Sequence, residues 1–342
     1  MRAAVRSETG GIRIAEVPDA RVHAPTDAVV RVVLAAVCGT DLWAYHGEDE
    51  IPPGPRAGHE FLGVVEETGR DVRRVRPGVL VLAPFMWCDG VCPACLDGLT
   101  TSCQDGGMWG GDHDGGQGEA VRVPFADATL LELPLEADDE RLPALLTLAD
   151  VMATGLHAVN GTGTGPASDV TVIGDGAVGL CAVLAARRAG AQRIILLSRH
   201  DDRARVGERF GATEVVAERG EQARARVLDM TGGRGTQAVL ECVGTQDSVD
   251  TALGLARDGG AIALVGAPHA ALPGTEQIFM RNLTVTGGLT PARALIPVLL
   301  EEVMSGRLNP SPVFDLVVDL DGVPAAYRAM AGRSAIKALV RI

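Results

Sequence analysis

Four of the chain's seven cysteines, Cys88, Cys92, Cys95 and Cys103, fall within sixteen residues. Thiols at such spacing suit a metal such as zinc. The opening residues, from Met1 to Glu8, lack the apolar stretch of a secretory signal, so reduced thiols and a cytoplasmic location are expected. A second candidate is Gly174-Asp175-Gly176-Ala177-Val178-Gly179, which follows the β-branched run Val170-Thr171-Val172-Ile173 and opens an Ala-rich stretch. In that context the glycines allow a tight turn, close approach of backbone to a pyrophosphate, and close helix packing, while the helix N-terminus faces the phosphates.

The second strand after this fingerprint bears on the choice of dinucleotide. It ends Leu197-Ser198-Arg199-His200, with no acid before Asp201. An NAD site places Asp or Glu there to accept from the ribose hydroxyls. Ser198 can instead hydrogen-bond a 2′-phosphate, and Arg199 can pair with it, so NADP(H) is favoured over NAD(H). Asp201 as ribose acceptor after a shorter strand is the competing reading. Two further segments are Cys38-Gly39-Thr40-Asp41 and Gly58-His59-Glu60. Taken alone, Cys38 reads as a small buried residue and His59 as a packed or surface histidine; spacing does not assemble either with Asp150. His23, His157, His269, Cys181 and Cys242 read as structural. Trp43, Phe85, Trp87, Met108 and Trp109 flank the motif segments and could line an apolar pocket or pack in the core.

These segments need a scaffold. At 342 residues the chain is long enough for two domains, and its 46% hydrophobic, 22% charged composition is that of a globular protein. A net charge of −13 disfavours nucleic acid, and no apolar run reaches the ~18 residues of a membrane span. The basic residues are arginine except for Lys337, which we read as compositional bias. Short β-like runs fill the first 150 residues, among them 28–37, 63–66 and 78–82, punctuated by turn signals at Pro52-Pro53-Gly54-Pro55 and Arg76-Pro77-Gly78. Seven glycines between 106 and 118 predict a loop whose backbone can approach a ligand. From Asp169 to about Ala267, strand-like runs (170–173, 193–197, 238–242, 261–265) alternate with helix-like ones, predicting a doubly wound parallel sheet. A helix-like run from Ala292 to Met304 contains Pro297, expected in the first turn or at a kink.

In this order the motifs resemble the zinc-dependent medium-chain alcohol dehydrogenases, and the resemblance extends over the whole chain. It implies an α/β architecture in which a GroES-like, mostly-β catalytic domain is built from both termini (1–152 and 291–342). A Rossmann dinucleotide-binding domain (153–290) is inserted between them. It also implies a catalytic zinc on Cys38, His59 and Asp150, with Glu60 beside it as a carboxylate able to ligate transiently. Asp41 would fix the His59 ring, and Thr40 would relay the substrate proton. Gly174, Gly176, Ala177, Val178 and Gly179 would cradle the pyrophosphate, and Ser198 and Arg199 the 2′-phosphate. Where some relatives carry a relay histidine this chain has Trp43, which leaves His46 or water for the outer path. The family's structural-zinc lobe, near 86–105, is matched by Cys92, Cys95 and Cys103. Its fourth ligand is either Cys88 after a local shift or Asp89 in frame. The expected reaction is hydride transfer between NADP(H) and an alcohol–carbonyl pair, in a homodimer or homotetramer. An NAD(H)-dependent polyol or amino-alcohol dehydrogenase is the alternative, and a non-catalytic dinucleotide-binding redox sensor is a further one.

Overall fold

Residues 1–7, 11–48, 55–111, 113–271 and 274–342 are described by the computed structural model; the turn signal at Pro52-Pro53-Gly54 lies outside them. The chain divides into two units, Met1–Asp150 with Pro291–Ile342, and Val151–Thr290.

The first unit is mostly β. Its principal sheet runs in the order Leu316–Asp319, Ala338–Arg341, Ala28–Ala36, Glu60–Thr68, Leu80–Ala83, Leu131–Glu132, with Ala120–Val123 also pairing onto Ala28–Ala36. The C-terminal segment enters through antiparallel pairing of Leu339 with Ala36 and Val340 with Ala35. The Ala28–Ala36 strand is buried at all but two positions, which accounts for its lack of polar alternation. With its Val30 cluster Phe61, Val81, Trp87, Trp109, Val121 and Tyr327. Full burial of a side chain such as Phe61 contributes about 1.5–3 kcal/mol, so this sheet is the rigid base of the segments at its ends. Trp87 and Trp109 are core residues, their rings edge-on at 5.2 Å.

Part of the glycine-rich stretch meets another stretch of backbone. It lies against the Arg56–Gly58 segment, where Gly115 N–H donates to the Arg56 carbonyl and Gly116 N–H to the Gly58 carbonyl, each at 2.9 Å. A Cβ on Gly115 would fall 2.2 Å from the Gly58 oxygen. Glycine there permits two backbones to touch, which fixes the residue before His59.

The second unit is a six-stranded parallel sheet, ordered Glu214–Val216, Arg193–Leu197, Asp169–Ile173, Thr236–Glu241, Ala256–Leu264, Thr284–Gly287. The direction of winding reverses between Asp169–Ile173 and Thr236–Glu241, and ligands of such sheets bind at the strand C-termini beside that point. Two strands escaped the sequence reading. Glu214–Val216 has three residues and Thr284–Gly287 is an edge strand of mixed polarity, so neither produces a hydrophobic run. The Ala256–Leu264 strand starts before the apolar run at 261, through Arg257-Asp258-Gly259. In the first unit, Ala292–Met304 is helical with Pro297 in its interior, so the Arg293 carbonyl lacks its usual helical donor. Among the described residues no single helix is long and apolar enough to cross a membrane.

Candidate active site

Cys38 follows the Ala28–Ala36 strand, His59 precedes the Glu60–Thr68 strand, and Asp150 ends the 3₁₀ turn Thr147–Ala149. Because the two strands are antiparallel neighbours, with Ala36 opposite Glu60, the strand end and strand start bring Cys38 beside His59. Cys38 Sγ lies 3.4 Å from Asp150 Oδ2, and His59 Nε2 lies 3.3 Å from the same oxygen. With Glu60, these residues form a buried group whose donor atoms all lie within 4.8 Å of one another.

This donor set fits a zinc ion. Tetrahedral bonds of about 2.0–2.3 Å give ligand–ligand edges of about 3.3–3.8 Å, the range of the two short contacts here. Charge points the same way. Burial pushes the Cys38 thiol up and Asp150 adds to it, so a thiolate there calls for a cation. The His59 ring is also poised: Nδ1 faces Asp41 Oδ1 at 3.5 Å, leaving Nε2 toward the cluster. Burial alone would push the imidazole down, and Asp41 and Cys38 reverse that to hold it well above its ordinary value. Asp41 is itself held, accepting from the Cys38 N–H at 3.0 Å, and is kept below its ordinary value by His59 despite burial. Phe85 stands edge-on to His59 at 6.3 Å.

Glu60 and Lys337 were not joined by the sequence reading. Lys337 Nζ sits 2.5 Å from Glu60 Oε1, with both side chains essentially inaccessible, and also donates to the Val37 carbonyl at 3.2 Å. The other Glu60 oxygen is buried without a hydrogen-bond partner, as is the Thr40 hydroxyl two residues after Cys38. The missed signal was composition: one lysine survives in a chain that otherwise uses arginine.

In the cysteine lobe, Asp89, Cys92, Cys95 and Cys103 place their donor atoms within 4.8 Å of one another. Cys88 is outside this group: it is 1% exposed and its backbone is bracketed by the Thr129 hydroxyl. Of the two candidates for a fourth ligand, Asp89 is the one whose oxygen groups with the three thiols. Its Oδ1 accepts from the Val91 and Cys92 N–H groups at 2.9 and 3.0 Å, which holds the carboxyl at about 2.

In the second unit the fingerprint lies between Asp169–Ile173 and the helix Ala177–Arg188. Gly174 has φ +110°, and a Cβ on Gly179 would fall 2.0 Å from the Gly174 oxygen, while the space over Gly176 is open. A pyrophosphate fits that opening at the helix N-terminus. Ser198 follows the strand as expected, but its hydroxyl is already engaged, donating to Asp175 Oδ2 at 2.9 Å. Asp175 also faces Arg203 Nη1 at 3.4 Å, both being less than 10% exposed. Arg199 is exposed, and Asp201 opens the next helix, four residues past the strand end. Asp175 and Arg203 were missed; an acid within the fingerprint was the available signal.

Two family models match the chain: the alcohol dehydrogenase GroES-like domain over residues 24–134 and the zinc-binding dehydrogenase family over residues 177–305. The chain belongs to the zinc-dependent medium-chain dehydrogenases, the family of the zinc-type alcohol dehydrogenases. Among individual proteins, it is 33% identical to the "Probable zinc-binding alcohol dehydrogenase Rv1895" of Mycobacterium tuberculosis, over 98% of this chain and 86% of the relative. Alcohol dehydrogenase TADH from Thermus sp. ATN1 superposes with a TM-score of 0.90 at 32% identity, covering 100% of this chain and 99% of that one. A zinc-binding dehydrogenase of Sinorhizobium meliloti 1021, solved bound to NADP, gives a TM-score of 0.85 at 29% identity over 100% and 99% of the two chains.

Proposed function

We propose that the chain is a zinc- and NADP(H)-dependent alcohol dehydrogenase acting on a secondary alcohol and its ketone. The observation that carries this reading is the buried convergence of Cys38, His59, Glu60 and Asp150. Cys38, His59 and Asp150 would hold zinc, which when bound supplies a Lewis acid at the substrate oxygen, and the nicotinamide supplies or accepts the hydride. Asp41 keeps the His59 ring turned so that Nε2 serves the metal. Thr40 has its hydroxyl free to accept the proton of the substrate and pass it on. Phe85, buried edge-on beside the His59 ring, adds an apolar wall to the site. Asp89, Cys92, Cys95 and Cys103 would hold a second, structural zinc.

For the dinucleotide, Gly174, Gly176, Ala177, Val178 and Gly179 would receive the pyrophosphate, and Ser198 with Arg199 the 2′-phosphate. The absence of an acid directly after the Arg193–Leu197 strand supports NADP(H), as does the NADP-bound relative. One observation favours the NAD(H) reading, in which a polyol or amino-alcohol is the substrate: the buried Asp175 carboxylate beside Ser198 can itself accept from a ribose hydroxyl. The expected assembly is a homodimer or homotetramer in the cytoplasm.

The test is metal analysis of purified protein together with an alcohol and carbonyl panel run with NADPH and NADH. The wild type should carry two zinc ions per chain, and Cys38→Ser or His59→Ala one, with turnover abolished and NADPH binding retained. Wild-type activity in either variant after chelation would overturn the metal assignment.

A further inference from the structure

The one lysine of the chain is placed where it touches both halves of the buried donor set. Its ammonium donates to Glu60, the neighbour of His59, and to the carbonyl of Val37, the neighbour of Cys38. Its backbone is fixed as well: the Ile336 and Lys337 N–H groups donate to Asp315 Oδ1 at 2.8 and 3.2 Å. The ammonium stands 6.0 Å from the centre of the Phe314 ring. Arginine supplies every other Lys/Arg position of the chain, and at this buried one the ammonium acts as a compact point charge between Glu60 and the Val37 carbonyl.

Charge explains what it does there. Within the donor set itself, a thiolate on Cys38 and carboxylates on Asp150 and Glu60 exceed a zinc dication by one negative charge, and the Lys337 ammonium on Glu60 offsets it. Without that partner neither oxygen of the Glu60 carboxylate is anchored, and a carboxylate buried beside a dication is then free to turn onto it. Resting on the reading of this cluster as the metal centre, we propose that Lys337 is a positioning residue. It holds one oxygen of Glu60 so that this carboxylate stays beside the metal without becoming a permanent fourth ligand, which keeps a coordination position open for substrate.

The test replaces zinc by cobalt(II) and records the visible spectrum of each protein minus that of the same protein carrying Cys38→Ser, which isolates the buried site from the cysteine lobe. Lys337→Met should give weaker bands of a higher-coordinate ion and release metal to a chelator about ten-fold more slowly, within the range that outer-shell partners exert. Its kcat should fall more than its KM rises. Adding Glu60→Gln to Lys337→Met should restore the wild-type spectrum, a rescue that loss of packing alone would not produce. A wild-type-like spectrum and release rate in Lys337→Met, or a double variant that keeps the altered spectrum, overturns the proposal alone. A blank wild-type difference spectrum overturns the metal reading and this proposal with it. If Lys337→Met does not fold, Glu60→Gln is compared with the double variant: identical spectra support the tether, and any change on removing Lys337 refutes it.

Discussion

Asp175→Asn separates the two dinucleotide readings. The substitution is close to isosteric and keeps an oxygen that can accept from Ser198, so the local hydrogen bond survives while one negative charge is removed. Asp175 and Arg203 form a buried ion pair at 3.4 Å. That pair is one of the interactions that restrain Arg203. Released from it, the guanidinium can contribute to binding a 2′-phosphate, and one charge-assisted hydrogen bond nets about 1.5–3 kcal/mol, or roughly 10–150-fold in affinity. NADPH should therefore bind at least ten-fold tighter to the variant, with NADH unchanged within about two-fold. The assay is direct titration by nicotinamide fluorescence for both dinucleotides, with 2′,5′-ADP as competitor, and thermal unfolding as a control for the broken buried pair. An unchanged NADPH affinity would refute the idea that Asp175 restrains Arg203. A selective loss of NADH binding would assign Asp175 to the ribose and make this an NAD site.

Asp89→Ala should remove the metal of the cysteine lobe and leave one zinc per chain, whereas Cys88→Ser should retain both, as read by metal analysis; the opposite pattern would return Cys88 to the ligand set. Thr40→Val should slow the chemical step by about 10²–10⁴-fold with metal content and NADPH affinity preserved, while Thr40→Ser keeps substantial activity. A Thr40→Val enzyme within a few-fold of wild type in single-turnover measurements would move the relay to water. Because burial raises the Cys38 thiol, zinc loading of that site must displace a proton, so its apparent zinc affinity should rise with pH and protons should appear in unbuffered titrations. A pH-independent affinity across the neutral range would show that the thiol is not a ligand.

Much of this was legible from local sequence. The parallel sheet announced itself through β-branched runs alternating with helical ones, and Ser198 is the first residue past its strand because a strand end is a local property. The fingerprint 174–179 could be singled out by residue type and its place between a strand and a helix, whereas 38–41 and 58–60 gained a role only through the order of motifs that resembles the family. Element edges were less legible, since Glu214–Val216 is short and Ala256–Leu264 begins in charged residues and glycine, where hydrophobic periodicity has nothing to report.

Distances through space were decided only by the tertiary structure. Cys38 and Asp150 meet across 112 residues of chain, and Lys337 reaches Glu60 across 277, through a C-terminal strand paired onto Ala28–Ala36. No spacing rule operates at such separations. The relative placement of Asp89 and Cys88 was equally closed to sequence: the Asp89 carboxylate groups with the thiols of Cys92, Cys95 and Cys103, while Cys88 is buried and outside that group. The glycines of 106–118 could be counted but not placed; their contact with the Ala57–Gly58 backbone depends on two segments that meet only when the sheet is assembled. Sequence determined which chemistry was available, because ligand type and turn propensity reside in single residues. Folding determined which groups share a site, because that depends on long-range packing of the strands that carry them.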